Sequence, residues 1–162
     1  MKLAIASDVH DNMQSFRWFL DYCKQHGVTH CVFLGDIIRP TLAQELFASF
    51  EKTYFVFGNN DGDRVRITKF ADDSVVLADD CFLEADIADR KLFITHYPLL
   101  GRLAAESGRY VVSCYGHNHT FHEERVGECL LVNPGELYGG ITGEISFYLY
   151  DTERGAGERI SR

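Results

Sequence analysis

The first sixty residues alternate between apolar runs with strand character and segments with helical spacing, and every apolar run stops at a polar motif. The apolar runs cover residues 2–7, 29–34 and 53–57. Between them, apolar residues recur at helical spacing over 12–26 and 42–50. This β-α-β-α-β order predicts a parallel sheet whose crossover connections are right-handed.

The regular alternation of strand and helix patterns ends after the third apolar run. A loop or short helix is predicted over 61–73 and a helix over 98–106. The remaining short runs with strand character are 74–77, 81–87, 91–95, 110–115, 122–125, 128–133 and 144–150. We therefore predict an α/β fold, a four-layer α/β/β/α sandwich of two mixed β-sheets flanked by helices.

The length and the charged terminus of the chain suggest its domain organisation. A chain of 162 residues is long enough for one domain with a sizeable core. We assign that single domain to residues 1–150. Residues 151–162 are charged and contain glycine, so we expect a polar C-terminal tail that frays.

Composition narrows the classes of protein to which the chain can belong. There is no apolar run of about 18 residues, so no membrane-spanning helix is expected. The N-terminus starts directly with a strand instead of a signal peptide, which makes a cytoplasmic location the expectation. A net charge of −8 argues against dedicated binding of nucleic acid, which requires basic side chains, but not against a phosphate-containing substrate.

The cysteines do not point to a metal site. There are five, an odd number, and none forms a C-x-x-C pair. Cys31 and Cys114 lie inside apolar runs, as buried free thiols do. We therefore expect free thiols and no zinc–thiolate centre.

Chemistry is concentrated in five short motifs that come where predicted strands end. They are Asp8-Val9-His10, Gly35-Asp36, Gly58-Asn59-Asn60-Asp61, Thr95-His96 and Gly116-His117-Asn118-His119. The carboxyl ends of strands in such a sheet gather at one edge, so the side chains of these motifs can converge. A spacing of two, as in Asp8 and His10, also places both side chains on the same side of an extended segment.

The residue types in these motifs suit metal ions. Two aspartates, one asparagine and four histidines supply oxygen and nitrogen donors without thiolate. We predict two adjacent divalent ions as cofactors, with Mn favoured and Ni, Fe, Co or Zn as alternatives. The proposed metal ligands are Asp8, His10, Asp36, Asn59, His96, His117 and His119.

The ordered set D-x-H, G-D, G-N-x-D, T-H and G-H-x-H resembles the calcineurin-like metallophosphoesterases, in particular their small bacterial and archaeal phosphodiesterases. The resemblance spans residues 8–119, and Asn133-Pro134-Gly135 resembles a turn that follows in this subgroup. It implies a phosphodiesterase that acts on small phosphodiesters through a hydroxide bridging two metal ions.

The same resemblance implies how the ligands divide between the two ions. One ion would be held by Asp8, His10, Asp36 and His119. The other would be held by Asp36, Asn59, His96 and His117. Asp36 would bridge the ions and is therefore counted among the catalytic residues.

The sequence departs from the larger members of the family at one position. They carry G-N-H-D, whose histidine protonates the leaving group, whereas this chain has Asn60 there. An amide binds a phosphoryl oxygen but is no general acid near neutral pH, so we expect a preference for good leaving groups such as aryl esters. We assign Asn60 to catalysis and substrate binding, count Asp61 among the catalytic residues because we expect it to support the site by hydrogen bonding, and name Arg39 as a candidate substrate contact.

Two other functions stay open at this point. The chain would be a phosphomonoesterase if monoesters were the better substrates. It would be a non-catalytic binding or scaffold module if its metal centre did no chemistry, although scaffold members of this fold lose ligands that are all present here. A small phosphate ester is the expected partner, and a homodimer or homotetramer is possible.

Overall fold

Two β-sheets face each other in the part of the chain that the computed structural model describes, residues 1–78 and 80–162. The strands are β1 (Lys2–Ala6), β2 (His30–Phe33), β3 (Lys52–Phe55), β4 (Val75–Leu77), β5 (Phe82–Ile87), β6 (Arg90–Thr95), β7 (Val112–Cys114), β8 (His122–Val126), β9 (Cys129–Asn133), β10 (Ser146–Asp151) and β11 (Ala156–Ser161). The helices are α1 (Met13–Gln25), α2 (Pro40–Ser49), α3 (Arg64–Lys69) and α4 (Pro98–Glu106).

Both sheets are mixed, as the sequence predicts. The first sheet has the order β11-β10-β1-β2-β3-β4, in which β1 to β4 are parallel and β10 and β11 are antiparallel. The second sheet has the order β5-β6-β7-β9-β8, with β6, β7 and β9 parallel between antiparallel edge strands. Three apolar clusters separate the layers, which confirms the α/β/β/α sandwich.

Strand β1 shows why its sequence is apolar throughout. Ala4 and Ala6 face the cluster beneath α1 and α2, whereas Leu3 and Ile5 face the cluster between the two sheets. All four side chains are fully buried. A strand covered on both faces needs apolar residues at every position, which removes the alternation typical of a half-exposed strand.

Helix α1 forms where the sequence supplies both a cap and an apolar stripe. The side chain of Asn12 accepts a hydrogen bond from the backbone N–H of Ser15 and so caps the first turn. Phe16, Phe19 and Cys23 follow at helical spacing and are buried against the first sheet. Burying each phenylalanine contributes about 1.5–3 kcal/mol, so the stripe fixes which face of the helix meets the sheet.

The expectation of a fraying tail is corrected by the last strand. Residues 156–161 form β11, which pairs with β10 along its whole length from Ser146 opposite Ser161 to Asp151 opposite Ala156. Gly155, at a φ of 64°, reverses the chain between the two strands, and Ile160 packs on the first core. The composition is polar because β11 is an edge strand, whose outer face and edge meet solvent.

The carboxyl ends of β1, β2, β3, β6 and β7 meet at one edge of the sandwich. The loops that follow them are joined through the backbone: Asp8 N–H donates to the Gly35 carbonyl at 3.1 Å, and Gly116 N–H donates to the His96 carbonyl at 3.2 Å. The first bond joins loops of the first sheet and the second joins loops of the second sheet, and His117 N–H connects the two pairs by donating to Asp8 Oδ2 at 3.0 Å. The five polar motifs are located in these loops, apart from Thr95, which is the last residue of β6.

Candidate metal centre

Four of the predicted ligands form one group around the end of β1. His10 Nε2 lies 3.6 Å from Asp8 Oδ1 and 3.4 Å from Asp36 Oδ2. His119 Nε2 lies 3.5 Å from the same Asp8 oxygen. Asp8 and Asp36 are buried, and the two imidazoles are partly exposed. Asp8, His10 and His119 offer donor atoms close enough to hold one metal ion.

The remaining ligands form an adjacent group that shares Asp36. Its Oδ2 atom lies 3.6 Å from His96 Nε2. Asn59 Oδ1 lies 3.0 Å from His96 Nε2 and 2.9 Å from His117 Nδ1. The structure therefore brings all seven predicted ligands together, with the Asp36 carboxylate between the two groups.

Two atoms in the first group indicate that a cation fits there. Asp8 Oδ1 and His10 Nε2 are buried, and neither has a hydrogen-bond partner among the described residues. Buried polar atoms are rarely left in this state, because losing a partner costs about 1–3 kcal/mol. Carboxylate oxygens and imidazole nitrogens turned towards one point satisfy a divalent metal ion, so the residues present fit such an ion.

The electrostatics of this pair point in the same direction. Burial alone would raise the pKa of the Asp8 carboxyl, but the neighbouring His10 and other imidazoles hold it below its ordinary value. The Asp8 carboxylate in turn raises the pKa of His10. The site therefore stabilises positive charge beside Asp8, where a metal ion would displace the proton of His10.

The backbone adopts unusual conformations at the ligands. Asp8, His10, Asp36, His117 and His119 all have φ angles between 41° and 72°, in the left-handed region. Such conformations cost residues other than glycine about 1–3 kcal/mol and are concentrated at functional sites. Five strained residues whose side chains all face one point are an independent indication that this edge of the sandwich is the functional site.

Glycines allow the motif loops to approach the carboxylates. A Cβ at Gly58 would collide with the Asp36 carboxylate, and a Cβ at Gly116 would collide with the hydroxyl of Ser7. That hydroxyl donates a 2.5 Å hydrogen bond to Asp8 Oδ2, which also accepts from His117 N–H at 3.0 Å. The glycines of the G-N-x-D and G-H-x-H motifs are thus required by packing against the ligands.

Asp61 holds the loops of two motifs together. Its Oδ2 accepts hydrogen bonds from the N–H groups of Asp36 at 2.9 Å and Gly58 at 2.8 Å, and its Oδ1 accepts from Ile38 N–H at 2.8 Å. Burial raises the pKa of this carboxyl, against the effect of the three donors. These contacts are the kind of support that the sequence predicts for this residue.

The two predicted substrate contacts have internal partners in this structure. The Asn60 side chain donates to Asp36 Oδ2 at 2.7 Å. The guanidinium of Arg39 lies 3.7 Å from the Asp11 carboxylate and is about half exposed. Asn60 is therefore in direct contact with a predicted ligand, whereas Arg39 lies beside the loop that follows His10.

Sequence reasoning missed the groups that orient two of the histidines. His96 Nδ1 donates to the Leu34 carbonyl at 2.7 Å, which leaves Nε2 facing Asp36. His119 Nδ1 lies 2.6 Å from Oε2 of Glu136, a fully buried carboxylate. The only signal in the sequence was that Glu136 directly follows Asn133-Pro134-Gly135. Contacts of this kind fix which nitrogen of a histidine faces a metal.

Two surface grooves lie away from this site. Two grooves of about 650 Å³ each run along α1, and both are lined by Arg17 and Asp21. Their lining contains none of the seven predicted ligands. The site is therefore assigned from its donor atoms and not from the size of a cavity.

Comparison with known proteins agrees with the geometry. Residues 1–155 match the model of the calcineurin-like phosphoesterase superfamily domain. The chain is 32% identical over 158 residues to phosphodiesterase MJ0936 of Methanocaldococcus jannaschii, covering 95% of each chain. It is 25% identical to phosphodiesterase YfcE of Escherichia coli K12, covering 85% of this chain and 79% of that protein.

A solved structure extends this comparison to three dimensions. The structure of an archaeal phosphodiesterase superposes with a TM-score of 0.91 at 30% identity, and the match covers 100% of both chains. The fold, the ordered motifs and the family match all agree with the resemblance found in the sequence. The chain belongs to the calcineurin-like phosphoesterase superfamily and is a hydrolase acting on phosphoester bonds.

Proposed function

We propose that the chain is a metal-dependent phosphodiesterase that hydrolyses small phosphodiesters at a centre of two divalent ions. The observation that carries the proposal is the convergence of the other six predicted ligands around Asp36, with the buried atoms Asp8 Oδ1 and His10 Nε2 left without partners among the described residues. Two relatives that match most of the chain are named phosphodiesterases, which supports the choice of substrate class.

The distances support the division of ligands that the resemblance implies. Asp8, His10, Asp36 and His119 would hold the first ion. Asp36, Asn59, His96 and His117 would hold the second ion. Asp36 Oδ2 is close to a histidine of each group, 3.4 Å from His10 and 3.6 Å from His96, as a residue shared by two ions must be.

When bound, two such ions supply an activated water for in-line attack on phosphorus and neutralise charge on the entering and leaving oxygens. The protein's part is to hold the ions and to orient the ester. Asn60 lies over Asp36 and has an amide N–H₂ that can donate to a phosphoryl oxygen once the ester is bound. Arg39, which pairs with Asp11 in the loop after His10, is a candidate for a charged contact with the phosphate.

The substrate preference follows from what Asn60 cannot do. An amide does not protonate a departing alkoxide near neutral pH, so esters whose leaving group is stable as an anion should react fastest. Aryl phosphodiesters meet this condition. Mn is the metal that we favour. Ni, Fe, Co and Zn are alternatives, because imidazole and carboxylate ligands suit them as well.

The test is hydrolysis of bis-p-nitrophenyl phosphate by metal-stripped protein, with and without added Mn²⁺. We expect activity to appear with Mn²⁺ and to be lost in Asp36→Asn, a variant of nearly the same shape. Asp73→Asn, an exposed residue of the same type, is the matched control and should keep its activity.

The same assay separates the alternatives. Faster hydrolysis of p-nitrophenyl phosphate than of the diester would favour a phosphomonoesterase. Folded protein that shows no activity with Mn²⁺, Ni²⁺, Co²⁺ or Zn²⁺ would favour a binding or scaffold module.

Among the described residues, no helix is long and apolar enough to cross a membrane. The cytoplasmic location and the homodimer or homotetramer stay predictions from the sequence.

A further inference from the structure

One buried carboxylate beside the metal centre belongs to none of the five motifs. Glu136 is fully buried, and its Oε2 atom lies 2.6 Å from Nδ1 of His119. Its backbone is held on both sides, because its carbonyl accepts from Ser146 N–H at 2.9 Å and the next residue, Leu137, donates to the Ser7 carbonyl at 3.0 Å. The backbone that carries the carboxylate is therefore held in place beside the histidine.

The other oxygen of Glu136 is fully engaged with the loop that follows. Oε1 accepts from Thr142 N–H at 2.7 Å, from the Thr142 hydroxyl at 2.9 Å and from Ile141 N–H at 3.1 Å. Two of these donors are backbone amides, which cannot reverse their role. Oε1 must therefore be an acceptor, and Oε2 is left to accept from His119.

These contacts determine which ring nitrogen of His119 carries the proton. With Glu136 as a carboxylate, Oε2 has no hydrogen to donate, so Nδ1 of the imidazole carries the hydrogen that lies between them. In the neutral imidazole, Nε2 then has a free lone pair. That atom lies 3.5 Å from Asp8 Oδ1, an oxygen without a partner among the described residues.

We propose that Glu136 is a positioning residue of the first metal site, which holds His119 in the tautomer and orientation that direct Nε2 to the metal. This inference rests on the proposed function in one respect, that a divalent ion binds beside Asp8. Glu136 also ties this ligand to the loop 137–145, because its two oxygens bind His119 and Thr142.

Replacement of Glu136 by glutamine reverses the direction of the hydrogen bond to His119 while keeping the shape of the side chain. The amide oxygen of Glu136→Gln must face Ile141 and Thr142, because the amide N–H₂ cannot accept from their N–H groups. The N–H₂ group then faces His119 and donates to Nδ1. The neutral imidazole must in consequence carry its proton on Nε2, the atom that should bind the metal.

The first readout is the tautomer of His119, from two-bond ¹⁵N–¹H NMR spectra of metal-stripped protein at a pH where the histidines are neutral. We expect the proton on Nδ1 in the wild type and on Nε2 in Glu136→Gln. The spectrum of His119→Asn identifies the signal. The wild-type measurement needs no variant, so it tests the inference even if Glu136→Gln fails to fold, and a wild-type proton on Nε2 would overturn it.

The second readout is calorimetric titration of the same proteins with Mn²⁺. One of the two Mn²⁺ affinities should fall about 10–100-fold in Glu136→Gln, the usual effect of losing such a contact, while the other stays close to its wild-type value. Glu144→Gln is the matched control. It replaces glutamate by glutamine in the loop 137–145, but Glu144 pairs with Arg159 on the surface. Its affinities should be those of the wild type.

The outcomes separate this inference from the proposed function. Wild-type protein that binds two Mn²⁺ ions, with both affinities unchanged in folded Glu136→Gln, would overturn the positioning role and leave the phosphodiesterase proposal intact. Wild-type protein that binds no Mn²⁺, Ni²⁺, Co²⁺ or Zn²⁺ would overturn both. A purely structural role for Glu136 would lower thermal stability and leave the Mn²⁺ affinities as they are.

Discussion

Asn60 donates two hydrogen bonds to the same carboxylate, that of Asp36: its backbone N–H lies 2.8 Å from Oδ1 and its side-chain amide lies 2.7 Å from Oδ2. The residue is thus fixed directly over the carboxylate that the proposed ions share. We propose that it contacts a bound phosphate, but its side chain carries no dissociable proton near neutral pH. At this position the side chain is therefore in close contact with the proposed metal centre but cannot act as a general acid.

Asn60→His should therefore change which esters are hydrolysed. A histidine at this position can protonate the leaving group, so kcat/KM for alkyl diesters should rise about 10-fold relative to aryl diesters, a modest share of what general acid catalysis supplies. Steady-state rates on paired alkyl and aryl substrates measure the ratio. Asn60→Gln, which keeps an amide, should leave the ratio unchanged. Equal effects of Asn60→His on both ester types would refute the explanation.

The first half of the sandwich could be predicted because its elements are specified locally. The strands β1, β2 and β3 are short apolar runs, and α1 has both a capping Asn12 and an apolar stripe. The predicted ligands were found together because the carboxyl ends of such strands meet at one edge. No precise geometry was needed for that inference, only the order of the elements and the position of the polar residues.

What could not be predicted depends on contacts between distant parts of the chain. Strand β11 is held by backbone pairing with β10, which leaves little trace in the side-chain pattern of an edge strand. Glu136 and His119 are 17 residues apart and meet only when β9 and the loops around it are in place. The positive φ angle of His119 is equally invisible in the sequence, because residues other than glycine rarely adopt it.

Gly58→Ala should damage the centre although no ligand is replaced. The new Cβ would collide with the Asp36 carboxylate and the backbone N–H of Asp36, so the loop must shift away from the metal ligands. We expect a loss of about 1–3 kcal/mol in the free energy of unfolding, as for other overpacked sites. Weaker Mn²⁺ binding should accompany it. Urea denaturation and Mn²⁺ titration measure the two effects.

A second glycine four residues away provides the control for this substitution. A Cβ at Gly62 meets no atom within 4 Å, and its φ is not in the left-handed region. Gly62→Ala should therefore change stability by no more than about 0.5 kcal/mol, as is usual at open surface positions. If both variants behaved alike, the close approach of Gly58 to Asp36 would not be what requires glycine there.

Asp61→Asn should lower stability and activity together. The three N–H groups of Asp36, Gly58 and Ile38 donate to two different oxygens of Asp61. An asparagine has only one acceptor oxygen, so its own N–H₂ group must face at least one of these donors. A buried N–H left without an acceptor costs about 1–3 kcal/mol. The midpoint of urea unfolding and the hydrolysis of bis-p-nitrophenyl phosphate measure the two losses.

The exposed Asp73 provides the comparison for this effect. Asp73→Asn makes the same chemical change on the surface and should leave both quantities within error of the wild type. Wild-type stability in Asp61→Asn would show that the three hydrogen bonds do not hold the motif loops in place.

The five free cysteines should differ sharply in reactivity. Only the thiolate reacts with disulfide reagents, so reaction requires both access and an accessible pKa. Cys23, Cys31, Cys114 and Cys129 are buried, and burial raises the pKa of Cys23 to about 12 and that of Cys129 to about 11. Cys81 is partly exposed. Titration with Ellman's reagent should therefore detect one thiol per native chain and all five in denaturant.

Cys81→Ser identifies the reactive thiol. The variant should show no rapid reaction in the native state and four thiols in denaturant. Its hydrolytic activity should be unchanged, because among the described residues Cys81 forms no hydrogen bond with any of the seven proposed ligands. A rapidly reacting thiol that persists in Cys81→Ser would mean that one of the four buried strand or helix positions opens to solvent. Such opening would contradict the close packing of the layers around Cys23, Cys31 and Cys114.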